Sequence, residues 1–379
     1  MTPSALFQPV TVNGLLLPNR IVMAPMSRHF STDGLMPETY VDYYRRRAEG
    51  GAGLILSECT GVPHPTALRQ PTYPRFYGGD ALGVWRRVVE AVHEAGGRIF
   101  PQIWHAGLTR EPGASPNPEA TPSGPSGLFV PLDGQGRAPQ RVAEPLTDPE
   151  IADIISAFGE AAGTAERLGF DGIEVHGAHG YLIDQFFWSG TNRRSDAWGE
   201  PGGAATRFAV ELIRECRRRV APEYPIFFRW SQWKQQDYAA VLAPDPAALE
   251  ALLAPLVDAG VDLFHCSVRR FGEPAFPGED MSLAGWTRKL TGRPVCTVGS
   301  IGLDVSLGGS DRASKDSISR PAYTARSASL DPLLEIVEKE KIDLVAIGRA
   351  MVTNPDLPHK VRLGKALAPY SPADLETLH

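Results

Sequence analysis

The segment Gly169-Phe170-Asp171-Gly172-Ile173-Glu174-Val175-His176-Gly177-Ala178-His179-Gly180-Tyr181-Leu182 places two imidazoles and a phenol close together in the chain. It begins as a short apolar run with Ile and Val, the pattern of a buried strand. It ends in a glycine-punctuated turn that carries His176, His179 and Tyr181. Such side chains just past a core strand suit hydrogen-bond donation to a substrate oxygen and proton transfer. A lone histidine at a strand end is commonly a satisfied structural residue, but here two stand three apart with a tyrosine two further on. His-x-x-His spacing also suits a metal, which needs a third ligand. For that the segment offers only Asp171 and Glu174. The spacing puts an active site first and a metal site second.

These residues need a scaffold, and the chain supplies a regular one. Apolar, β-branched runs recur at residues 20–25, 53–58, 98–104, 169–176, 225–231, 261–266, 294–299 and 342–348. Helical patterning fills residues 37–50, 80–96, 147–168, 203–220, 245–259, 283–290, 331–341 and 354–364. Thr147-Asp148-Pro149-Glu150 reads as a helix start, with proline in the first turn and an acid to follow. Alternating strands and helices predict a (β/α)8 TIM barrel, a single domain over residues 1–379, with an open doubly wound sheet as the alternative. Residues 1–18 are expected to cap the barrel bottom. The long connections 107–146 and 302–330 leave the catalytic face and are expected to shape or cover the site.

A barrel collects its chemistry at the carboxyl ends of its strands. Those ends read Pro25-Met26-Ser27-Arg28, Ser57-Glu58-Cys59-Thr60 and Gln102-Ile103-Trp104-His105, then His176, Arg229, Gly299-Ser300 and Gly348-Arg349. Glycines after the last two strands are where barrels commonly bind phosphate through backbone N–H groups, and Arg349 adds a positive charge. With the Gln102 amide, Arg229 and two imidazoles, the inventory suits a planar phosphorylated cofactor over the barrel mouth. A positive group beside a flavin's N1–C2=O edge stabilises the reduced ring, a role open to Arg229.

Four motifs then resemble the old yellow enzyme family, the FMN-dependent ene-reductases of the NADH:flavin oxidoreductase group. They are Asn19-Arg20-Ile21-Val22-Met23-Ala24-Pro25-Met26-Ser27-Arg28, Gln102-Ile103-Trp104-His105-Ala106-Gly107, His176-Gly177-Ala178-His179-Gly180-Tyr181-Leu182 and Thr191-Asn192-Arg193-Arg194-Ser195-Asp196. The similarity spans residues 6–357 in the family's order. It implies bound FMN with NADPH or NADH as reductant. Pro25, Met26, Ser27 and Cys59 should lie along the flavin, with Gln102 at its pyrimidine edge and Arg229 at N1 and O2. His176 should also touch the cofactor, and Gly299, Ser300, Gly348 and Arg349 should hold the phosphate. The resemblance further implies that His176 and His179 grip the carbonyl oxygen of an α,β-unsaturated substrate. Tyr181 protonates Cα after hydride reaches Cβ from flavin N5, and Trp104 lines the substrate pocket. Related FMN barrels act on dienoyl thioesters or amines, or serve as non-catalytic flavin sensors. The former carry an iron–sulfur cluster on closely spaced cysteines, and the scattered Cys59, Cys216, Cys266 and Cys296 do not offer that. The chain departs from the family at Ser27, at Arg110 after Gly107, at Trp188-Ser189-Gly190 and at Ser231-Gln232-Trp233-Lys234. The last of these points to a separate branch.

Composition fits this reading. Hydrophobic residues make 42%, charged residues 22%, and the net charge is -6, with no basic stripe for nucleic acid or an anionic membrane. No run is long and apolar enough for a membrane span, no secretory start is visible, and the cysteines make no disulfide framework. A cytoplasmic enzyme acting on a small enone-type molecule is expected, with homo-oligomerisation left open.

Overall fold

Eight parallel strands close into a barrel in which each strand pairs with its neighbour in sequence. They are β1 (Ile21–Met23), β2 (Leu54–Gly61), β3 (Ile99–Trp104), β4 (Ile173–His176), β5 (Ile226–Trp230), β6 (Leu263–Ser267), β7 (Val295–Val298) and β8 (Leu344–Ile347). The molecule is a computed structural model that describes residues 3–199, 206–303 and 329–378. Every residue of these strands is buried, as strands walled by helices outside and packed side chains inside must be.

The barrel interior divides by height. Its lower part is an apolar plug of Val22, Leu54, Phe100, Phe227, Leu263, Cys296 and Leu344. Val12 and Leu17 of an antiparallel hairpin, Val10–Val12 with Leu15–Leu17, pack into the same cluster. One step up, the side chains turn polar. Strand register sets Gln102 opposite Glu174, and Arg229 opposite both His176 and His265. The chemistry therefore stands on an incompressible hydrocarbon floor.

The expected helices form as Thr39–Glu49, Gly79–Glu94, Asp148–Leu168, Arg207–Arg219, Pro246–Ala259, Leu283–Thr291, Asp331–Glu340 and Leu357–Arg362. Thr147 and Glu150 close a capping box at the third helix, with the Thr147 N–H donating to Glu150 at 2.8 Å. Two short helices were not foreseen. Leu182–Phe187 follows Tyr181 directly, and Arg349–Thr353 follows β8. Leu182–Phe187 is buried on all sides, so it has no amphipathic stripe to betray it. Among the described residues no helix is long and apolar enough to cross a membrane.

The 107–146 connection is built rather than slack. It contains a 3-10 turn at Gly107–Thr109 and a small ladder between Leu128–Phe129 and Gln140–Arg141. Arg110 donates to the carbonyls of Leu68, Ala114, Asn117 and Ala120, which fixes the segment's first turn. Arg194 of the Thr-Asn-Arg-Arg-Ser-Asp motif donates to the carbonyls of Pro125 and Leu146 and so staples the far end. Most of the second long connection, residues 304–328 of 302–330, lies outside the described residues.

Candidate active site

A cavity of about 560 Å³ opens at the carboxyl ends of the strands. Its wall includes Pro25, Met26, Ser27, Cys59, Gln102, His176, His179, Tyr181, Arg229, Gly299, Ser300, Gly348 and Arg349. Residues far apart in sequence thus share one chamber.

His176 closes β4, and the Ala178 N–H donates to its Nδ1 at 3.2 Å. Nδ1 is therefore an acceptor, and the neutral ring carries its proton on Nε2. Burial, reinforced by the Arg229 charge, holds the pKa of His176 well below the ordinary imidazole value. Burial does the same to His179, with Arg229, His176, Lys234 and His265 adding to it. Both rings are neutral hydrogen-bond donors at working pH. They meet edge to face at 5.1 Å, and Tyr181 stands 5.2 Å from His176. Burial raises the Tyr181 phenol above its ordinary value, so it keeps its proton.

The turn that presents these groups is tightly held. His179 has φ 66°, a left-handed conformation unusual for a side-chain-bearing residue. Its N–H donates to Ser231 Oγ at 3.0 Å, and its Nε2 lies 2.7 Å from Ser267 Oγ. Ser267 Oγ also accepts from Arg229 at 3.4 Å. Its hydroxyl hydrogen is then free to point at His179 Nε2, which leaves the ring proton on Nδ1. The Trp233 ring lies against His179 at 4.6 Å.

On the cofactor side, the Gln102 amide nitrogen donates to Glu174 at 2.6 Å. A carboxylate only accepts, so the amide oxygen is left for another donor. Glu174 also holds His265 at 2.6 Å. Arg229 is buried, and its Nε has no hydrogen-bond partner among the described residues. An orphaned guanidinium nitrogen asks for an acceptor, and a flavin N1–C2=O edge is one. Gly299 has φ 151°, and a Cβ there would collide with the Val268 carbonyl, so only glycine lets the backbone pass. Such a turn leaves its N–H groups open to a phosphate. The chamber fits FMN. Ser27 Oγ and Cys59 Sγ sit 3.2 Å apart on the wall, and burial pushes the Cys59 thiol up to about 12.

The expected residues are brought together with one correction. Trp104 does not line the cavity. It is fully buried behind the wall, stacked on Tyr73 at 4.8 Å and meeting Tyr181 edge-on at 5.1 Å. The indole is a platform, and Tyr73 takes the place on the wall. No residue of 107–146 lines the cavity either. Gly134 and Gly136 instead donate to the carbonyls of Gln235 and Gln236 and so back the wall from behind. The two carboxylates offered for a metal are engaged elsewhere: Glu174 as above, and Asp171 with His93 at 2.9 Å. Sequence reading missed Tyr73, Trp233, Tyr238 and Ser267. Ser267 had a signal in its position at the end of β6, and Trp233 in a segment already marked as divergent.

Comparison with known proteins agrees with this fold. The model of the NADH:flavin oxidoreductase / NADH oxidase family matches residues 5–308. The chain is 32% identical to NADH oxidase of Thermoanaerobacter brockii over 369 residues, covering 95% of this chain and 51% of that protein. It thus spans about half the length of that relative. It is 31% identical to 12-oxophytodienoate reductase 1 of Oryza sativa subsp. japonica, covering 96% of this chain and 88% of the other. Morphinone reductase in complex with tetrahydroNAD superposes with a TM-score of 0.75 at 28% identity, covering 98% and 94% of the two chains. The old yellow enzyme homologue of Zymomonas mobilis gives 0.76 at 25% identity, covering 98% and 96%. The chain therefore belongs to the NADH:flavin oxidoreductase / NADH oxidase family, that of the old yellow enzymes, and is an FMN-dependent oxidoreductase.

Proposed function

We propose that the protein reduces the C=C bond of α,β-unsaturated carbonyl compounds at the expense of NADH or NADPH. The observation that carries this reading is the convergence of two neutral imidazoles and one protonated phenol on a single cavity. Bound FMN would supply the hydride chemistry that links the nicotinamide to the substrate's β-carbon. His176 and His179 donate hydrogen bonds to the carbonyl oxygen, where negative charge grows as the β-carbon is attacked. Donors already in place for that charge lower the barrel's share of the barrier, because little has to reorganise as it forms. Tyr181 delivers its phenolic proton to Cα. Burial suits both roles: it keeps the imidazoles neutral and the phenol protonated over the ordinary pH range. Arg229 and the Gln102 amide would hold the flavin's pyrimidine edge, Ser27 and Cys59 would lie along its ring, and Gly299, Ser300, Gly348 and Arg349 would take its phosphate. The enone-type substrate enters between Tyr73, Tyr181, Trp233 and Tyr238, whose flat faces suit a planar conjugated molecule.

An absorbance spectrum of the purified protein tests this directly. Under argon, NADPH should bleach the flavin band, and 2-cyclohexenone should restore it. A band that NADPH bleaches and that enones of varied size all fail to restore would overturn ene reduction.

A further inference from the structure

Once Tyr181 has given up its proton it is a phenolate in a nearly dry place, with only 4% of its surface exposed. Such an anion is costly unless a proton or a positive charge is at hand. The hydrogen-bonding side chains that act on its hydroxyl are Gln235 and Tyr73. An amide can donate a hydrogen bond but has no proton to transfer. Tyr73 has one.

Tyr73 is built into the site. Its ring stacks on Trp104, the same indole that Tyr181 meets edge-on, so one platform fixes both phenols. Both line the cavity. On its other side Tyr73 meets the ring of His29 at 4.7 Å, and His29 is exposed at the rim, which puts solvent one residue away. Arg69 completes the cluster. Its side chain is 13% exposed, and its charge acts on both phenols. Its ion pair with Glu111 is loose at 3.5 Å, and its Nε has no hydrogen-bond partner among the described residues. A mostly buried cation with spare donors beside two phenols is unexplained by folding alone.

We propose that Tyr73 and Arg69 complete the proton delivery, Tyr73 passing its proton to Tyr181 as Tyr181 protonates substrate, with Arg69 holding the negative charge in transit. The inference rests on Tyr181 being the proton donor. The Tyr181 O–H bond breaks as the Cα–H bond forms, and the Tyr73 proton moves to the Tyr181 oxygen. Tyr73 recovers a proton from water at the rim, and hydroxide leaves to bulk. Charge and atoms balance with no further reactant. Burial, with the negative charge of Tyr181 adding to it, raises the pKa of Tyr73, so Tyr73 holds its proton against ionisation elsewhere until this transfer, while Arg69 favours the ionised form of each phenol.

The test uses the FMN-loaded protein in anaerobic stopped flow, following flavin reoxidation by 2-cyclohexenone. Tyr73→Phe should slow this step by about tenfold or more, within the range of a lost proton-transfer partner. Its proton inventory in mixed H₂O and D₂O should change from curved to linear, as one fewer proton moves. Arg69→Met should move the alkaline limb of the rate up by about one pH unit. A readout free of turnover is tyrosinate absorbance near 295 nm, taken as the difference between each background and its Tyr181→Phe counterpart. That component should shift upward in Arg69→Met by the same amount. A merely structural role would lower the rate at every pH and leave both titrations in place. If Tyr73→Phe keeps the wild-type rate and a curved inventory, water protonates Tyr181 directly and the relay is wrong. If Tyr181→Phe itself keeps the wild-type rate, the assignment of Tyr181 fails first, a separate result from the same instrument.

Discussion

At the ends of β4 and β5 the cavity wall is made of side chains, whereas at the ends of β7 and β8 it is made largely of backbone. The first region carries His176, His179 and Tyr181, braced by Ser231, Trp233 and a fully buried ion pair between Lys234 and Asp184 at 2.9 Å. Asp184 accepts the Gly180 N–H at 2.7 Å, and Lys234 donates to the carbonyls of Ser231 and Gln232. Asp184 holds the turn that aims the chemistry, and Lys234, in the segment after β5, holds Asp184. The second region offers Gly299, Ser300 and Gly348, with Arg349 the one charged chain among them. The contrast follows from what each end must do. Proton and hydrogen-bond transfer need direction, so the side chains are locked and the desolvation of two charges is tolerated. An anion needs only open N–H groups and room to approach.

The comparison is broken most severely by removing the donors. His176→Ala/His179→Ala should lower enone turnover by about a thousandfold or more, since one such donor is worth about a hundredfold and more. FMN content should barely change, because the phosphate end is intact. Equal losses of flavin and turnover would mean that the pair serves the cofactor and not the substrate.

Next comes the brace. Lys234→Met leaves Asp184 charged and buried without its partner, at a cost of about 3 kcal/mol in stability. Thermal unfolding should show the loss, and Lys234→Met/Asp184→Leu should recover much of it while turnover stays low, since Gly180 has lost its acceptor. Recovery of turnover in the double variant would show that the ion pair does not aim the turn. On the opposite side, Gly299→Ala should weaken FMN retention by about tenfold, because the new methyl forces the backbone off Val268. Fluorescence of released flavin on dilution measures this, and turnover per bound FMN should be unchanged.

The two regions also differ in how far the sequence reveals them. His176, His179 and Tyr181 sit on one strand-to-turn segment, so spacing and residue type disclose them together. The barrel was equally legible, because each strand is an apolar run between helix signals. Gly299 and Gly348 gain meaning only from their place after the last two strands. Tyr73 and Trp233 had weak or no local signal: they reach the cavity from connecting loops whose path is set by tertiary packing. Trp104 misled for the opposite reason. A strand-end position argued for the wall, yet its neighbours Tyr73 and Tyr181 stand in front of it and claim that surface. The Lys234–Asp184 pair joins residues fifty apart, and no periodicity links them.

A second buried carboxyl sharpens the contrast through pH. Asp184 has a lysine, whereas Glu58 within β2 has the Arg28 N–H at 3.1 Å and the Tyr40 phenol nearby but no ion-pair partner among the described residues. Burial therefore raises the Glu58 pKa from 4.5 to about 7. The folded state binds this proton more tightly than the unfolded chain does, so the folded form releases it at higher pH. Its stabilising share is complete below about pH 4.5 and is lost as pH rises through about 7. Wild type should accordingly lose melting temperature between pH 5 and pH 8. Glu58→Gln keeps an acceptor for the Arg28 N–H and cannot ionise, so the decline should flatten. At pH 8 the variant should melt about 3 °C above wild type, for a gain of about 2–3 kcal/mol. At pH 5 the two should coincide. A wild-type melting temperature that is flat from pH 5 to pH 8 would show that Glu58 ionises without penalty, and that a buried carboxylate beside this cavity needs no lysine to be tolerated.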